Sequence, residues 1–248
     1  MSRVVIGLLL LVFSLNAEDI YATFNVLADK KANLAFSSSG IVEEVFVEIG
    51  SEVKRGEILA KLQNGDLRQS VEIAKANLRN AEVVLRFAKK DYSRQVKIKN
   101  MIEKTKFDKF ALSLEIAKVA LIQAKANLAY KKVILDKTSL KAPFDGVIYD
   151  KSVEIGDVVS GQMLRTILKI QSKTKRKLVL GFDQKYWKKV KVGQTFKYGV
   201  DGDKKVYEGK ISKIYPFANS GNRKIKAEVE VEGFVVGLFG EGYIKEDK

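Results

Sequence analysis

Two stretches of the chain repeat one short pattern, although a long insertion separates them. Residues 40–59 and 146–164 both show a glycine, nine residues and a second glycine, with Val-Glu-Ile-Gly at the same offset. Each copy has β-branched runs between glycines, a pattern typical of short strands joined by tight turns. One copy has too few strands to bury a face, so we predict that the two copies close a β-sandwich by pseudo-twofold pairing. The predicted structural turn glycines, which would supply positive φ, are Gly40, Gly50, Gly146 and Gly156.

The insertion between the two copies, residues 67–138, has the apolar spacing of helices. Its apolar side chains recur in alternating steps of four and three, which is the a/d spacing of a coiled coil, and no proline or glycine interrupts them. We predict helices over residues 66–100 and 106–137 that pair as an antiparallel hairpin about 50 Å long. The predicted seam consists of Leu67, Val71, Ala74, Leu78, Ala81, Leu85, Ala88 and Tyr92, then Phe110, Leu114, Ala117, Leu121, Ala124, Leu128 and Leu135.

Capping-box patterns mark where each predicted helix begins. Asp66 is followed three residues later by Gln69, and Thr105 is followed in the same way by Asp108. In such a pattern the first side chain accepts a hydrogen bond from a backbone N–H of the first turn that has no partner in the helix. We therefore predict Asp66 and Thr105 as N-cap residues.

The N-terminus has the pattern of a secretory signal. Arg3 precedes an apolar run from Val4 to Leu15, and a small residue, Ala17, comes before polar sequence. The run is too short to span a bilayer, which needs about 20 apolar residues. We predict a signal peptide over residues 1–17, cleaved after Ala17, and a mature chain exported to the periplasm. An uncleaved membrane anchor and a buried strand are the alternatives.

Residues 177–248 show four runs with alternating apolar side chains. Their spacing of about ten residues, with glycine turns between them, predicts a small antiparallel β-barrel. We expect the strand pattern at 20–36 to join this barrel and residues 183–191 to form one short helix. The four runs are residues 177–182, 195–200, 208–215 and 224–231.

The composition excludes most kinds of chemical site. The chain has no cysteine and no histidine, which excludes disulfides, thiolate or imidazole metal sites, and Ser–His–Asp triads. Met101 and Met163 are the methionines of the mature chain, and they lie far apart in sequence, which argues against a soft-metal site. We predict a protein that is not an enzyme and has no cofactor and no metal site.

The order of these elements resembles that of periplasmic adaptors, also called membrane fusion proteins, of tripartite efflux pumps. Ala-Asn-Leu-Ala-Tyr at 126–130, followed by Thr-Ser-Leu-Lys-Ala-Pro-Phe-Asp-Gly at 138–146, is similar to the end of the second hairpin helix and the strand after it in that family. Residues 237–244 are similar to the strand that closes the family's barrel.

The resemblance implies an α+β fold, mostly β, in which a long antiparallel α-helical hairpin interrupts a split lipoyl-like sandwich and a small antiparallel barrel is added. The implied domains are a signal at 1–17, a barrel from 18–35 and 171–248, a lipoyl-like domain from 36–66 and 139–170, and a coiled-coil hairpin at 67–138. Larger relatives continue into a membrane-proximal domain, which we expect to be missing or vestigial here.

The resemblance also implies a function without catalysis. Such a chain bridges an inner-membrane transporter and a TolC-like outer-membrane duct, and it supports export of small toxic molecules. The transporter is expected to be of the RND (resistance–nodulation–division) type. It is expected to form a homo-oligomer and to meet the membrane only through its partners. An ABC-type exporter or a metal efflux pump is the alternative partner.

A pattern at the hairpin tip marks the relatives that dock on TolC-like ducts. Here its positions are occupied by Arg94, Ile98, Thr105 and Leu112. The arginine matches the family pattern, Ile98 and Thr105 are conservative replacements, and Leu112 replaces an aspartate. The resemblance therefore implies Arg94, Ile98 and Thr105 as the docking residues.

Two alternatives from other classes can be weighed against an adaptor. A true lipoyl or biotinyl carrier domain modifies a lysine in the turn between its halves, and the long insertion replaces that turn. A basic nucleic-acid-binding coiled-coil protein would fit the net charge of +15, to which residues 67–138 contribute 17 basic and 7 acidic residues. No recognition motif is present, and an exported chain would rarely meet DNA, so we expect no nucleic-acid partner.

Overall fold

A computed structural model describes residues 19–163 and 165–246 of the chain. The predicted signal peptide, residues 1–17, lies outside the described residues. Contacts divide the chain into two units, a sandwich unit from Ala32 to Gln171 and a barrel unit that ends at Lys31 and resumes at Ser172. Over the described residues, the strands contain more residues than the two helices, which confirms the predicted mostly-β class.

In chain order the strands are β1 (Ile20–Ala28), β2 (Lys31–Leu34), β3 (Gly40–Val45), β4 (Glu52–Val53), β5 (Ile58–Leu62), β6 (Ser139–Lys141), β7 (Gly146–Lys151), β8 (Val158–Val159), β9 (Leu168–Gln171), β10 (Lys175–Asp183), β11 (Thr195–Val200), β12 (Val206–Ala218), β13 (Lys224–Glu232) and β14 (Phe239–Ile244). Between β5 and β6 come two helices, α1 (Gly65–Lys97) and α2 (Lys104–Asp136). We call α1 and α2 together the helix pair.

The barrel unit is a closed six-stranded barrel in the order β1-β10-β13-β12-β11-β14. Side chains of β1 alternate between the interior and the surface, and Phe24 lies inside with its ring edge against Phe196 and Tyr198. β14 pairs with β1 on one side and β11 on the other, so the barrel has no free edge. The closing strand is thus the segment 237–244 that the family resemblance indicated.

One short element of the barrel unit differs from the sequence-based expectation. Residues 183–191 were expected to form a helix, but the structure has only a single 3-10 turn at Gln184–Tyr186. The Asp183 side chain accepts a hydrogen bond from the backbone N–H of Lys185 at 2.8 Å, which starts the turn. The backbone groups that follow are bonded by the Gln194 side chain, which accepts from the Lys191 N–H and donates to the Lys189 carbonyl.

The sandwich unit has two four-stranded sheets, β2-β9-β7-β4 and β6-β5-β3-β8. Their inner faces share one apolar core, whose fully buried members include Leu59, Leu62 and Ile148. The strand pattern at 20–36 is divided between the two units. β1 belongs to the barrel, whereas β2 lies beside β9 in the sandwich.

The two repeat copies exchange equivalent hydrogen bonds. The Gly50 N–H donates to the Ile148 carbonyl at 2.8 Å, and the Gly156 N–H donates to the Val42 carbonyl at 2.9 Å. Strand pairing is reciprocal too, because β3 pairs with β8 and β4 pairs with β7. Each copy therefore supplies the strand that the other lacks, as the sequence repeat predicts.

The four predicted turn glycines are of two kinds. Gly50 and Gly156 have φ of 92° and 93°, a conformation that side chains rarely adopt. Gly40 and Gly146 are instead the first residues of β3 and β7, and neither has positive φ, so naming them turn glycines was wrong. Gly146 is constrained by space, since a Cβ there would lie 2.4 Å from the Gln171 carbonyl oxygen.

The helix pair consists of two 33-residue helices that contact each other along their length. Their burial follows the predicted seam, because Val71, Ala74 and Ala81 of α1 and Leu114 and Ala117 of α2 are buried. Each helix ends earlier than predicted, at Lys97 and Asp136. Among the described residues, no helix is both long and apolar enough to cross a lipid bilayer.

Both predicted N-caps are wrong. The residue before α1 is Asn64, and Asp66 lies inside the first turn. The residue before α2 is Glu103, and Thr105 is the second residue of the helix. Neither Asn64 nor Glu103 makes a side-chain capping bond.

Candidate docking site

The connection between α1 and α2 is short and well defined. Ile98 follows the last residue of α1, and its backbone N–H bonds back to the carbonyls of Gln95 and Val96. One 3-10 turn follows at Lys99–Met101, and an extended Glu103 leads into α2. We call residues 94–107 the tip.

The three predicted docking residues lie on the surface of the tip. The Arg94 side chain is 71% exposed, and its Nη1 lies 3.4 Å from Asp91 Oδ1, which is a loose ion pair worth little on a surface. Ile98 is an apolar residue, yet it is 41% exposed. Thr105 is exposed in the first turn of α2. The tip thus presents a guanidinium fork, an apolar side chain and a hydroxyl at one end of the helix pair.

Sequence reasoning missed the residue that holds the tip together. Phe107 packs its ring 5.5 Å from the ring of Tyr92, across the two helices. Lys99 Nζ lies 5.1 Å from the centre of the same Phe107 ring, on the connection. The heptad pattern indicated Phe110 as the first seam residue of α2. The only sequence signal for the Phe107 contact was Tyr92, the last seam residue of α1, which needs a partner on α2 near the turn.

Met101 is the most exposed apolar side chain of the tip, at 87%. It sits in the 3-10 turn, and its backbone N–H donates to the Ile98 carbonyl at 2.8 Å. The turn is therefore closed by the backbone, while its thioether points away from the protein. A flexible, polarisable side chain in this position suits contact with an uneven partner surface.

The charge of the tip region is one-sided. Residues 86–109 contain nine lysines and arginines against three acidic residues. The three acidic residues, Asp91, Glu103 and Asp108, are exposed or half-buried, and because basic residues outnumber them three to one the local field is positive. Such a field favours an acidic partner surface and speeds its association at low salt.

Comparison with known proteins places the chain in a family. The family described as "CzcB-like, barrel-sandwich hybrid domain" matches residues 30–169, which include the whole helix pair and most of the sandwich unit. The chain belongs to this family. The predicted relation to periplasmic adaptors, or membrane fusion proteins, is thereby confirmed.

Individual members of this adaptor family match at low identity. The macrolide export protein MacA of Yersinia pestis is 26% identical over 226 residues, covering 84% of this chain and 61% of that protein. The cobalt-zinc-cadmium resistance protein CzcB of Cupriavidus metallidurans is 27% identical over 139 residues, covering 53% of this chain and 26% of that protein. The crystal structure of MacA from Actinobacillus actinomycetemcomitans superposes with a TM-score of 0.78 at 21% identity, covering 93% of this chain and 79% of that one. The chain thus spans less than two thirds of the length of the first two proteins, and its likeness to the third concerns the fold.

Buried polar groups join the two ends of the helix pair to each other at its base, where the chain leaves and re-enters the sandwich. Asn64 Nδ2 donates to Thr138 Oγ1 at 3.0 Å, and both residues are buried. Thr138 Oγ1 in turn donates to the Leu135 carbonyl at 2.7 Å. Because one end of the pair is fixed in this way, the tip lies about 50 Å away at the rise of an α-helix.

Metal-binding clusters are absent from the described part of the chain. Within residues 19–163 and 165–246, no three acidic side chains cluster so as to hold a metal ion. The described groups with shifted pKa values belong to the β-strands and the loops that connect them. What the tip can do is bind, through charge, an exposed apolar side chain and a rigid position.

Proposed function

We propose that this chain is a periplasmic adaptor that bridges an inner-membrane transporter and a TolC-like outer-membrane duct for the export of small toxic molecules. The observation that carries the proposal is the helix pair, which holds a basic tip about 50 Å from the sandwich to which its base is tied. A rigid spacer with a binding end is what a bridge between two membranes requires. Similarity to a macrolide export protein and to a metal resistance protein supports an export role.

The finer features of this proposal come from the sequence. They are a cleaved signal at 1–17 with a periplasmic mature chain, a barrel from 18–35 and 171–248, a lipoyl-like domain from 36–66 and 139–170, and a coiled-coil hairpin at 67–138. We further propose an RND-type transporter as the partner, with an ABC-type transporter or a metal pump as the alternative. Purifying the chain from membranes after cross-linking, and identifying the attached transporter, would separate these.

A homo-oligomer is supported by the outer face of α2. Leu112, Ile116, Val119 and Ile122 follow helical spacing, and each is at least 60% exposed. A stripe of this kind is costly to leave in water. Packing it against the same surface, or the neighbouring face, of a second copy would bury it. Cross-linking of a cysteine at position 116 in the otherwise cysteine-free chain would test this contact directly.

Docking at the tip is tested by reversing one charge. Arg94→Asp is expected to abolish export and duct cross-linking. The guanidinium group can donate two hydrogen bonds to carboxylates or to carbonyls at a helix end, whereas an aspartate would repel an acidic partner surface. The fold should persist, since an exposed charge change usually costs less than about 0.5 kcal/mol, and an acidic side chain in the last turn of α1, where Arg94 lies, adds about 0.3–1 kcal/mol. Drug susceptibility and cross-linking to the duct are measured at equal expression.

Arg79→Asp is the matched control. Arg79 is exposed on the same helix, 15 residues before Arg94, and the substitution changes the net charge by the same amount. Retained export with Arg79→Asp and lost export with Arg94→Asp would localise the contact to the tip. Equal loss in both would indicate a general charge effect, and full function of Arg94→Asp would refute docking through this residue.

A further inference from the structure

The barrel unit carries an apolar groove that an adaptor's bridging role does not use. The groove has a volume of about 610 Å³, within the usual range of ligand sites. Its walls include Trp187, Tyr215 and Phe217, and its floor includes Ile214 and Ile225. Trp187 is 64% and Phe217 57% exposed, so two of the largest apolar side chains of the barrel face solvent at one place.

A β-bulge explains why these side chains are presented there. In the β12–β13 pairing, Ile214 faces Ala227 and Ala218 faces Ile225, so three residues of β12 oppose a single residue of β13. The extra residues include Pro216, which has no N–H to give to the ladder. Bulges of this kind bend a strand and redirect its side chains, and they are common next to binding sites.

The aromatic wall is held in position rather than loosely exposed. The Tyr215 hydroxyl donates to Glu228 Oε1 at 2.6 Å, which raises the pKa of the tyrosine. Glu228 also accepts from Lys177 Nζ at 3.1 Å, so its charge is paired. The Tyr215 and Phe217 rings lie 6.0 Å apart, which makes a continuous aromatic surface.

The rim of the groove has one sign of charge. Lys188 Nζ lies 5.2 Å from the Trp187 ring centre, and Lys213 Nζ lies 5.7 Å from the Tyr215 ring centre. Lys185 is itself a lining residue. The described lining residues include no carboxylate, so an apolar floor is combined with ammonium groups at the edge.

We propose that this groove binds an anionic phospholipid, with an acyl chain on the apolar floor between the aromatic walls and the phosphate at the lysine rim. Aromatic side chains beside lysines are typical of protein surfaces that meet the interface of an anionic membrane. A lipid fits better than a peptide strand. Strand addition needs a regular run of free backbone groups. β12 pairs with β11 through Val206–Lys210, before the groove segment, and in the groove segment the bulge and Pro216, which has no N–H, interrupt that run. The proposal goes beyond the adaptor function and departs from the expectation that the chain meets the membrane only through partners.

The chain contains one tryptophan, Trp187, and it reports on the groove. The full chain is titrated with vesicles of equimolar phosphatidylglycerol and phosphatidylcholine, and with vesicles of phosphatidylcholine alone. We expect a blue shift of the Trp187 emission with the anionic vesicles and none with the neutral ones. Co-sedimentation alone would mislead, because the basic helix pair also attracts anionic vesicles.

Phe217→Ser should weaken the fluorescence-detected affinity about tenfold or more, the loss expected when a buried aromatic contact is removed. Phe239→Ser is the matched control, since Phe239 is an aromatic side chain of the same barrel, 49% exposed, that does not line the groove. It should bind like the unchanged chain. Lys188→Glu combined with Lys213→Glu tests the rim at exposed positions where folding is not at risk, and it should abolish the shift.

Several results would overturn the proposal. These are an equal shift with both vesicle types, no shift with either, or equal losses from Phe217→Ser and Phe239→Ser. A shift produced by free inorganic phosphate, or by an acidic peptide but not by vesicles, would assign the groove to a different ligand. These outcomes concern the groove of the barrel unit and not the tip, so failure here leaves the adaptor function standing.

Discussion

The sharpest test of the fold is the addition of one methyl group at Gly146. This glycine starts β7 with ordinary φ, so the backbone itself would accept any residue. The obstacle is space, because an added Cβ would lie 2.4 Å from the Gln171 carbonyl oxygen and 3.0 Å from Ile170 Cγ1. The nearest atom belongs to the backbone of β9, which pairs with β7, so relief requires the two strands to separate.

The expected cost of Gly146→Ala follows from this geometry. Overpacking a closed core costs about 1–3 kcal/mol, and a backbone obstacle places this case at the upper end. Alanine has less conformational freedom than glycine in the unfolded chain, and this stabilises the folded state by about 0.4–1 kcal/mol. A net loss of about 2 kcal/mol lowers the melting temperature of the sandwich unit by about 4–8 °C.

Gly40→Ala is the internal control, because Gly40 occupies the equivalent position of the first repeat copy. A Cβ there would meet the end of a side chain, Leu62 Cδ1, at 3.3 Å, and that side chain can move. The change should stay within about 1 kcal/mol. Calorimetry measures both variants, and Trp187 fluorescence identifies the transition of the barrel unit, which neither should shift. Equal stability of the two variants would refute the argument from space.

Two further predictions concern the helix pair and the barrel. Leu114→Asp should destabilise the pair by more than about 2 kcal/mol, because it buries a charge, whereas Leu112→Asp on the exposed face should cost less than about 0.5 kcal/mol by circular dichroism melts. In the barrel, burial alone would raise the pKa of Glu228, but hydrogen bonds from Tyr215 and Lys177 outweigh it and hold that pKa below its usual value. Stability from Glu228 is therefore present above its unfolded pKa and is lost as acid takes the pH through the lower folded pKa. Glu228→Gln should flatten the acid limb of the stability curve, and an unchanged limb would contradict this assignment.

Much of the fold could be predicted because it is encoded in local spacing. The Val-Glu-Ile-Gly repeat predicts two strands that need each other, and the observed bonds from Gly50 to Ile148 and from Gly156 to Val42 have the same offset. The four-and-three spacing predicts the buried side of each helix, since a side chain's face depends only on its position in the turn. Neither inference needs knowledge of distant contacts.

What could not be predicted depends on tertiary context. Gly146 has the sequence signal of a turn glycine, but its role is set by Gln171, which is brought beside it only when β7 and β9 pair. The division of residues 20–36 between two units has no local mark either. The alternation of apolar and polar side chains continues through β1 and β2. Which sheet each strand joins depends on which sheet has an edge free to pair.

The tip was predicted in position but not in construction. Helix spacing places Arg94 and Ile98 at the end of α1, whereas the Tyr92–Phe107 contact requires the return angle of α2 to be known. Thr105 had a capping pattern, yet Glu103 precedes α2 because the chain arrives there in an extended conformation. Local propensity was overridden by the path of the connection.

The base of the helix pair explains how a long insertion can divide a small sandwich without disrupting it. The Leu62 N–H donates to the Thr138 carbonyl at 2.9 Å, so the chain leaves and re-enters the sandwich as neighbouring strands β5 and β6. The ends of the insertion are therefore already held together, and the length of the helices adds little to the entropy of closing it. Adding or removing whole heptads would move the tip by about 10 Å each while leaving the strand pairing unchanged. Reach and closure are separate properties of this chain, because the strand pairing of the sandwich does not depend on how far the tip projects.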